Sequence, residues 1–86
     1  MTASYNLFIK RSVEKELRGI PKADLSKVVS RIHELATNPR PPSSQKLSGD
    51  NQYRIRQGDY RILYTIDDSN RKIEIVKIGH RREVYR

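Results

Sequence analysis

The chain has 86 residues, with 18 Lys or Arg against 10 Asp or Glu and a formal net charge of +8 at pH 7. This length allows one domain, residues 1–86, with one modest core. The charge points to a polyanionic partner, set against the bland alternative of a well-solvated basic surface. No run approaches the ~18 apolar residues of a membrane span, no signal-peptide pattern opens the sequence, and cysteine is absent. Disulfides and thiolate metal sites are therefore excluded, and a cytoplasmic protein without membrane contact is expected.

Residues 4–10 (SYNLFIK) alternate apolar and polar groups apart from Phe8 and predict a first strand. Over residues 12–20, Val13, Leu17 and Ile20 have helical spacing, with Ser12 the expected N-cap and Gly19 the break. Pro21 suits the first turn of a second helix. In that helix Leu25, Val28, Val29, Ile32, Leu35 and Ala36 form an apolar stripe, which ends at Asn38-Pro39. Residues 38–51 (NPRPPSSQKLSGDN) read as a long loop, with Leu47 pinning its end. Three strands follow: 52–57, 60–67 and, after a DDSN turn, 71–79. In the last, Ile73, Ile75, Val76 and Ile78 predict apolar groups on both faces of a central strand. The expected fold is α+β: a helical hairpin on one face of a small, twisted, mostly antiparallel four-stranded sheet.

The segment QYRIRQGDYRILY, residues 52–64, is the most informative. Gly58-Asp59 fits a two-residue turn with glycine first, the type II′ preference. That register pairs Gln57 with Tyr60, Arg56 with Arg61, Ile55 with Ile62 and Arg54 with Leu63. Paired residues share a face and faces alternate. Tyr53, Ile55, Tyr60, Ile62 and Tyr64 then form a core face, and Arg54, Arg56, Arg61 and Leu63 the opposite one. Like charges across strands cost ~0.2–1 kcal/mol, and few acids lie near in sequence beyond Asp50 and Asp59. A solvated face or local ion pairs would be the bland account. Arginine's fork, shaped for bidentate phosphate contacts, makes a phosphate-binding face the sharper one.

Residues 77–86 (KIGHRREVYR) leave the last strand beside this hairpin and add His80, Arg81, Arg82, Tyr85 and Arg86. Such a basic run is on its own most simply a solvated tail; its place beside the arginine hairpin argues otherwise. Two histidines and scattered acids show no metal-ligand spacing, so no metal or other cofactor is expected. His33, on the second helix, is assigned no role.

The pattern KLSG…YRIRQGDYRILY…IVKIGHRREVYR resembles the RelE/ParE superfamily of toxins from toxin–antitoxin pairs, and the RelE branch most closely. The likeness spans nearly the whole chain. It implies an endoribonuclease that enters the ribosomal A site and cuts the mRNA codon there. The implied chemistry is attack of a ribose 2′-hydroxyl on the adjacent phosphate. The implied partners are mRNA on the ribosome and an antitoxin encoded next door.

Residue by residue, the resemblance assigns catalysis to Arg54, Arg56, Arg61, Arg81 and Tyr85. Arg54 and Arg56 stand where the family commonly has lysine; Arg61, Arg81 and Tyr85 match in type. Lys46, Lys77, Arg82 and Arg86 are the further candidates for RNA contact. The lysine-to-arginine exchange matters, because arginine does not serve as a base. His80, an imidazole that can be neutral near neutral pH, is one candidate for that role, with Tyr85 or water as others. A ParE-like gyrase poison and a non-catalytic basic RNA-binding module are the competing readings.

Overall fold

The period-2 alternation of residues 52–64 forms the predicted hairpin, residue for residue. The computed structural model describes residues 4–47 and 51–80. Its elements in chain order are β1 (Asn6–Ile9), α1 (Arg11–Arg18), α2 (Lys22–Glu34), β2 (Gln45–Lys46), β3 (Gln52–Gln57), β4 (Tyr60–Asp67) and β5 (Lys72–His80). Gln57 pairs with Tyr60, Arg56 with Arg61, Ile55 with Ile62 and Arg54 with Leu63. Gly58 has φ +59°, while Asp59 has a negative φ, as a turn with glycine first requires.

The sheet has five strands in the order β1-β5-β4-β3-β2, and β1 runs parallel to β5. The fold is therefore α+β as expected, but with a fifth strand. That addition is β2, two residues long inside the proline-rich segment read as loop, and it pairs antiparallel with β3. A two-residue strand is too short to carry a periodic signal.

One face of the sheet carries the core. Val13 of α1, the inter-helix residue Ile20, and Val28, Ile32 and Leu35 from α2 and its C-cap meet Ile55, Ile62, Tyr64, Ile66, Ile73, Ile75 and Ile78 in one cluster. Each such side chain, fully buried, contributes roughly 1.5–3 kcal/mol relative to exposure. No helix among the described residues is long and apolar enough to cross a membrane.

A β-bulge corrects the reading of the last strand. Leu63 pairs with Lys77 but Tyr64 with Ile75, so Val76 is the extra residue. The insertion shifts the alternation by one. Ile73, Ile75 and Ile78 thereby all face the helices, opposite Ile66, Tyr64 and Ile62. The strand has a single apolar face, not two, and Lys77 and Gly79 fall on the helix-free side with Leu63 and Arg61.

Two helix boundaries also differ. Lys10, not Ser12, is the N-cap of α1, and no side chain caps it. Pro21 is the N-cap of α2 and lies just outside the helix. Beyond β1, which pairs only with residues 72–75, the β5 backbone finds a partner in α1. Ile78 N–H donates to Glu16 Oε1 at 3.1 Å, and Glu16 Oε2 lies 3.8 Å from Lys77 Nζ. This carboxylate closes an edge that would otherwise expose an unpaired N–H.

The proline-rich segment is fastened at its start. Tyr64 O–H donates to the Pro39 carbonyl at 2.7 Å, and the ring of Tyr64 stacks on Tyr53 at 5.8 Å. Arg40 donates to both oxygens of Asp68, at 3.3 and 2.8 Å, and through Nε to Tyr53 Oη at 3.1 Å. Tyr5 O–H donates to Asp68 at 2.6 Å. These donors, Arg40 first, hold the Asp68 carboxyl down at about 2. Burial is the main reason the Tyr64 phenol is pushed up to about 12.

Candidate functional site

The sheet face turned away from the helices gathers the hairpin cations. Faces alternate along each strand, so Arg54 and Arg56 on β3 lie beside Leu63 and Arg61 on β4, with Lys77 and Gly79 next on β5. Arg56 is exposed and Arg54 half-buried, whereas Arg61 retains only 2% of its accessible surface. The bland account of a solvated arginine face does not hold at that position. Across from Arg61 on β5 stands Gly79, which offers no side chain to compete for the space.

This arrangement is chemically one-sided. Cross-strand neighbours on one face have Cβ atoms about 4.5–5.5 Å apart, so Arg56 and Arg61 start from adjacent positions on that face. A buried cation acts through a lower effective dielectric than an exposed one, so its field on a nearby anion is stronger. Arg54 is held from the outer side, where its Nη2 donates to Gln45 Oε1 on β2. Sequence reasoning left Gln45 out, because it sat in an apparent loop.

The other predicted site residues divide. Lys77 is on the arginine face by register, but its ammonium lies close to Glu16. Lys46 pairs with Tyr53, so it is on the opposite face from the arginines. His80 pairs with Tyr60 and meets its ring edge-on at 5.6 Å, with Nε2 4.0 Å from Asp59 Oδ2. Tyr60 belongs to the core-facing set, so His80 is likewise turned toward the helix side. There it lines a cavity of about 200 Å³ together with Asp24, Lys27, Gln57, Gly58, Asp59 and Tyr60. The structure does not bring His80 to the arginines. Arg81, Arg82, Tyr85 and Arg86, like Asp50, lie outside the described residues. Among the described residues no group of three His, Cys, Asp or Glu side chains is placed to hold a metal ion.

Comparison with known proteins bears on this geometry. Residues 7–85 match the family model described as the ParE toxin of the type II toxin–antitoxin system parDE. The relative RelE1 of Methanocaldococcus jannaschii is 35% identical, over 95% of this chain and 96% of its own. The toxin RelE of Mycobacterium tuberculosis is 30% identical, over 95% of this chain and 87% of its own. Among solved structures, the archaeal RelE–RelB complex from Pyrococcus horikoshii superposes with a TM-score of 0.82 at 32% identity, covering 94% of this chain and 97% of that one. The isolated Escherichia coli RelE toxin superposes with a TM-score of 0.79 at 25% identity, covering 95% of this chain and 92% of that one. The chain therefore belongs to the RelE/ParE superfamily of toxins from type II toxin–antitoxin systems, on its RelE branch.

Proposed function

We infer that this toxin is a metal-independent endoribonuclease that cuts mRNA in the ribosomal A site and so stops translation. The observation that carries the reading is the pair Arg56–Arg61, two arginines partnered across strands on the helix-free face with one of them buried. Phosphoryl transfer builds charge on the phosphate oxygens, and preorganised cations lower its energy. In the proposed step a base takes the 2′-hydroxyl proton, the 2′-oxygen bonds to phosphorus, and the bond to the 5′-oxygen breaks. The 5′-oxygen leaves with a proton, and a 2′,3′-cyclic phosphate remains.

Arg61 and Arg56 clamp the developing charge, and Arg54 draws the backbone in. By family resemblance, Arg81 protonates the leaving oxygen and Tyr85 orients the 2′-hydroxyl or stacks on a base. His80, on the helix side of the sheet, has no part in proton transfer in this scheme. The base is Tyr85 or a bound water.

The proposed partners are mRNA on the ribosome and an antitoxin protein. The relative from P. horikoshii was solved as a complex of RelE with RelB, which supports an antitoxin here. The test is primer extension on mRNA in programmed ribosomes with this protein added. Cuts at the A-site codon are expected. Intact mRNA with inhibited DNA supercoiling would favour a ParE-like action on gyrase instead, and RNA binding without cuts a non-catalytic module.

A further inference from the structure

We propose that Gln45 is a positioning residue for Arg54, and that the proline-rich segment serves to deliver it. The inference rests on the reading of the arginine face as an RNA-phosphate site. Gln45 stands directly opposite Arg54 in the β2–β3 register, and its Oε1 accepts from Arg54 Nη2. Arg54 shares its face with Arg56 and Arg61 and is repelled by both. Without a fixed acceptor its long side chain would swing toward solvent.

An amide suits this position better than a carboxylate. It anchors one of the five guanidinium donors and leaves the positive charge intact for phosphate. Glutamate would hold the side chain equally well but cancel the charge. The bond uses Nη2 and leaves donors free on the other edges of the guanidinium.

A two-residue strand at a sheet edge does not persist alone, and the segment bearing it is tied down on both sides. Tyr64 grips Pro39, Arg40 grips Asp68, and Arg31 Nη2 donates to Ser43 Oγ at 3.2 Å. Beyond β2, Leu47 N–H donates to the Gln52 carbonyl at 2.9 Å. The anchors leave Gln45 little freedom except to face Arg54.

A double-mutant cycle tests this, using single-turnover cleavage of mRNA in programmed ribosomes, and fluorescence anisotropy with a labelled single-stranded RNA for binding. Gln45→Ala is expected to lower the single-turnover rate about tenfold, with thermal unfolding unchanged, because a misplaced guanidinium loses its stabilisation of the transition state. In an Arg54→Ala background the same substitution is expected to do nothing more. Gln45→Glu is expected to weaken RNA binding and reduce the salt slope by roughly one phosphate contact. Fully additive losses, or a Gln45→Glu slope equal to wild type, would overturn the inference while leaving the RNA reading in place. If Arg54→Ala itself changed neither binding nor cleavage, both would fall together.

Discussion

Arg56 and Arg61 are direct cross-strand partners, yet one is exposed and the other keeps 2% of its accessible surface. Two like charges share one face in two different environments. Burial leaves the field of Arg61 less weakened by solvent than that of Arg56.

Stability should divide along the same line. Arg56→Ala is expected to change unfolding free energy by no more than about 0.5 kcal/mol. Arg61→Ala removes a packed stem as well as a charge and is expected to cost about 1–3 kcal/mol. For a domain of this size each kcal/mol lowers Tm by roughly 4–8 °C. Thermal unfolding of the two variants side by side measures the difference. Equal Tm values would show that burial of Arg61 carries no weight.

The bulge at Val76 makes a second prediction. Deleting Val76 would make Ile75 and Lys77 consecutive opposite Tyr64 and Leu63, a regular ladder that leaves Ile73, Ile75 and Ile78 on the core face. This variant is expected to keep cooperative unfolding, whereas Ile78→Lys, which sets a charge in the core, should lose it. Near-ultraviolet circular dichroism and urea titration distinguish the two outcomes.

A third prediction concerns acid. Arg40, then Tyr5, lower the Asp68 carboxyl from 3.8 to about 2 in the folded state. A depressed carboxyl stabilises the fold fully above its unfolded value and loses that contribution as pH falls through its folded value. The Arg40–Asp68 contribution should thus be intact at pH 5 and fade between about pH 4 and pH 2. Wild type and Asp68→Asn should differ most at pH 5 and converge toward pH 2. Urea titrations across that range measure it; a gap that widens toward pH 2 would contradict the assignment.

The hairpin was legible because strict alternation admits only one register that keeps Tyr53, Ile55, Tyr60, Ile62 and Tyr64 together. The helices were legible from Val13, Val28, Ile32 and Leu35, although helix starts shifted where the caps use no side chain. The bulge leaves only a faint trace: Ile73, Ile75 and Ile78 are spaced two and then three apart. His80 falls in the basic run 77–86 and so reads with the arginines, but its pairing with Tyr60 turns it to the helix side. Arg40 and Asp68 are 28 positions apart, and nothing local in the sequence joins them. Burial of Arg61 depends on what packs around it in three dimensions, which a period-2 pattern does not encode.

The central claim is that the arginine face cuts mRNA on the ribosome. Primer extension on programmed ribosomes tests it most directly, with wild type beside Arg56→Ala, the variant expected to keep its fold. The account predicts A-site cuts with wild type and a loss of about 10²-fold or more in the variant, the scale of removing one preorganised charge-stabilising group. Undiminished cutting by Arg56→Ala at wild-type rate would contradict it.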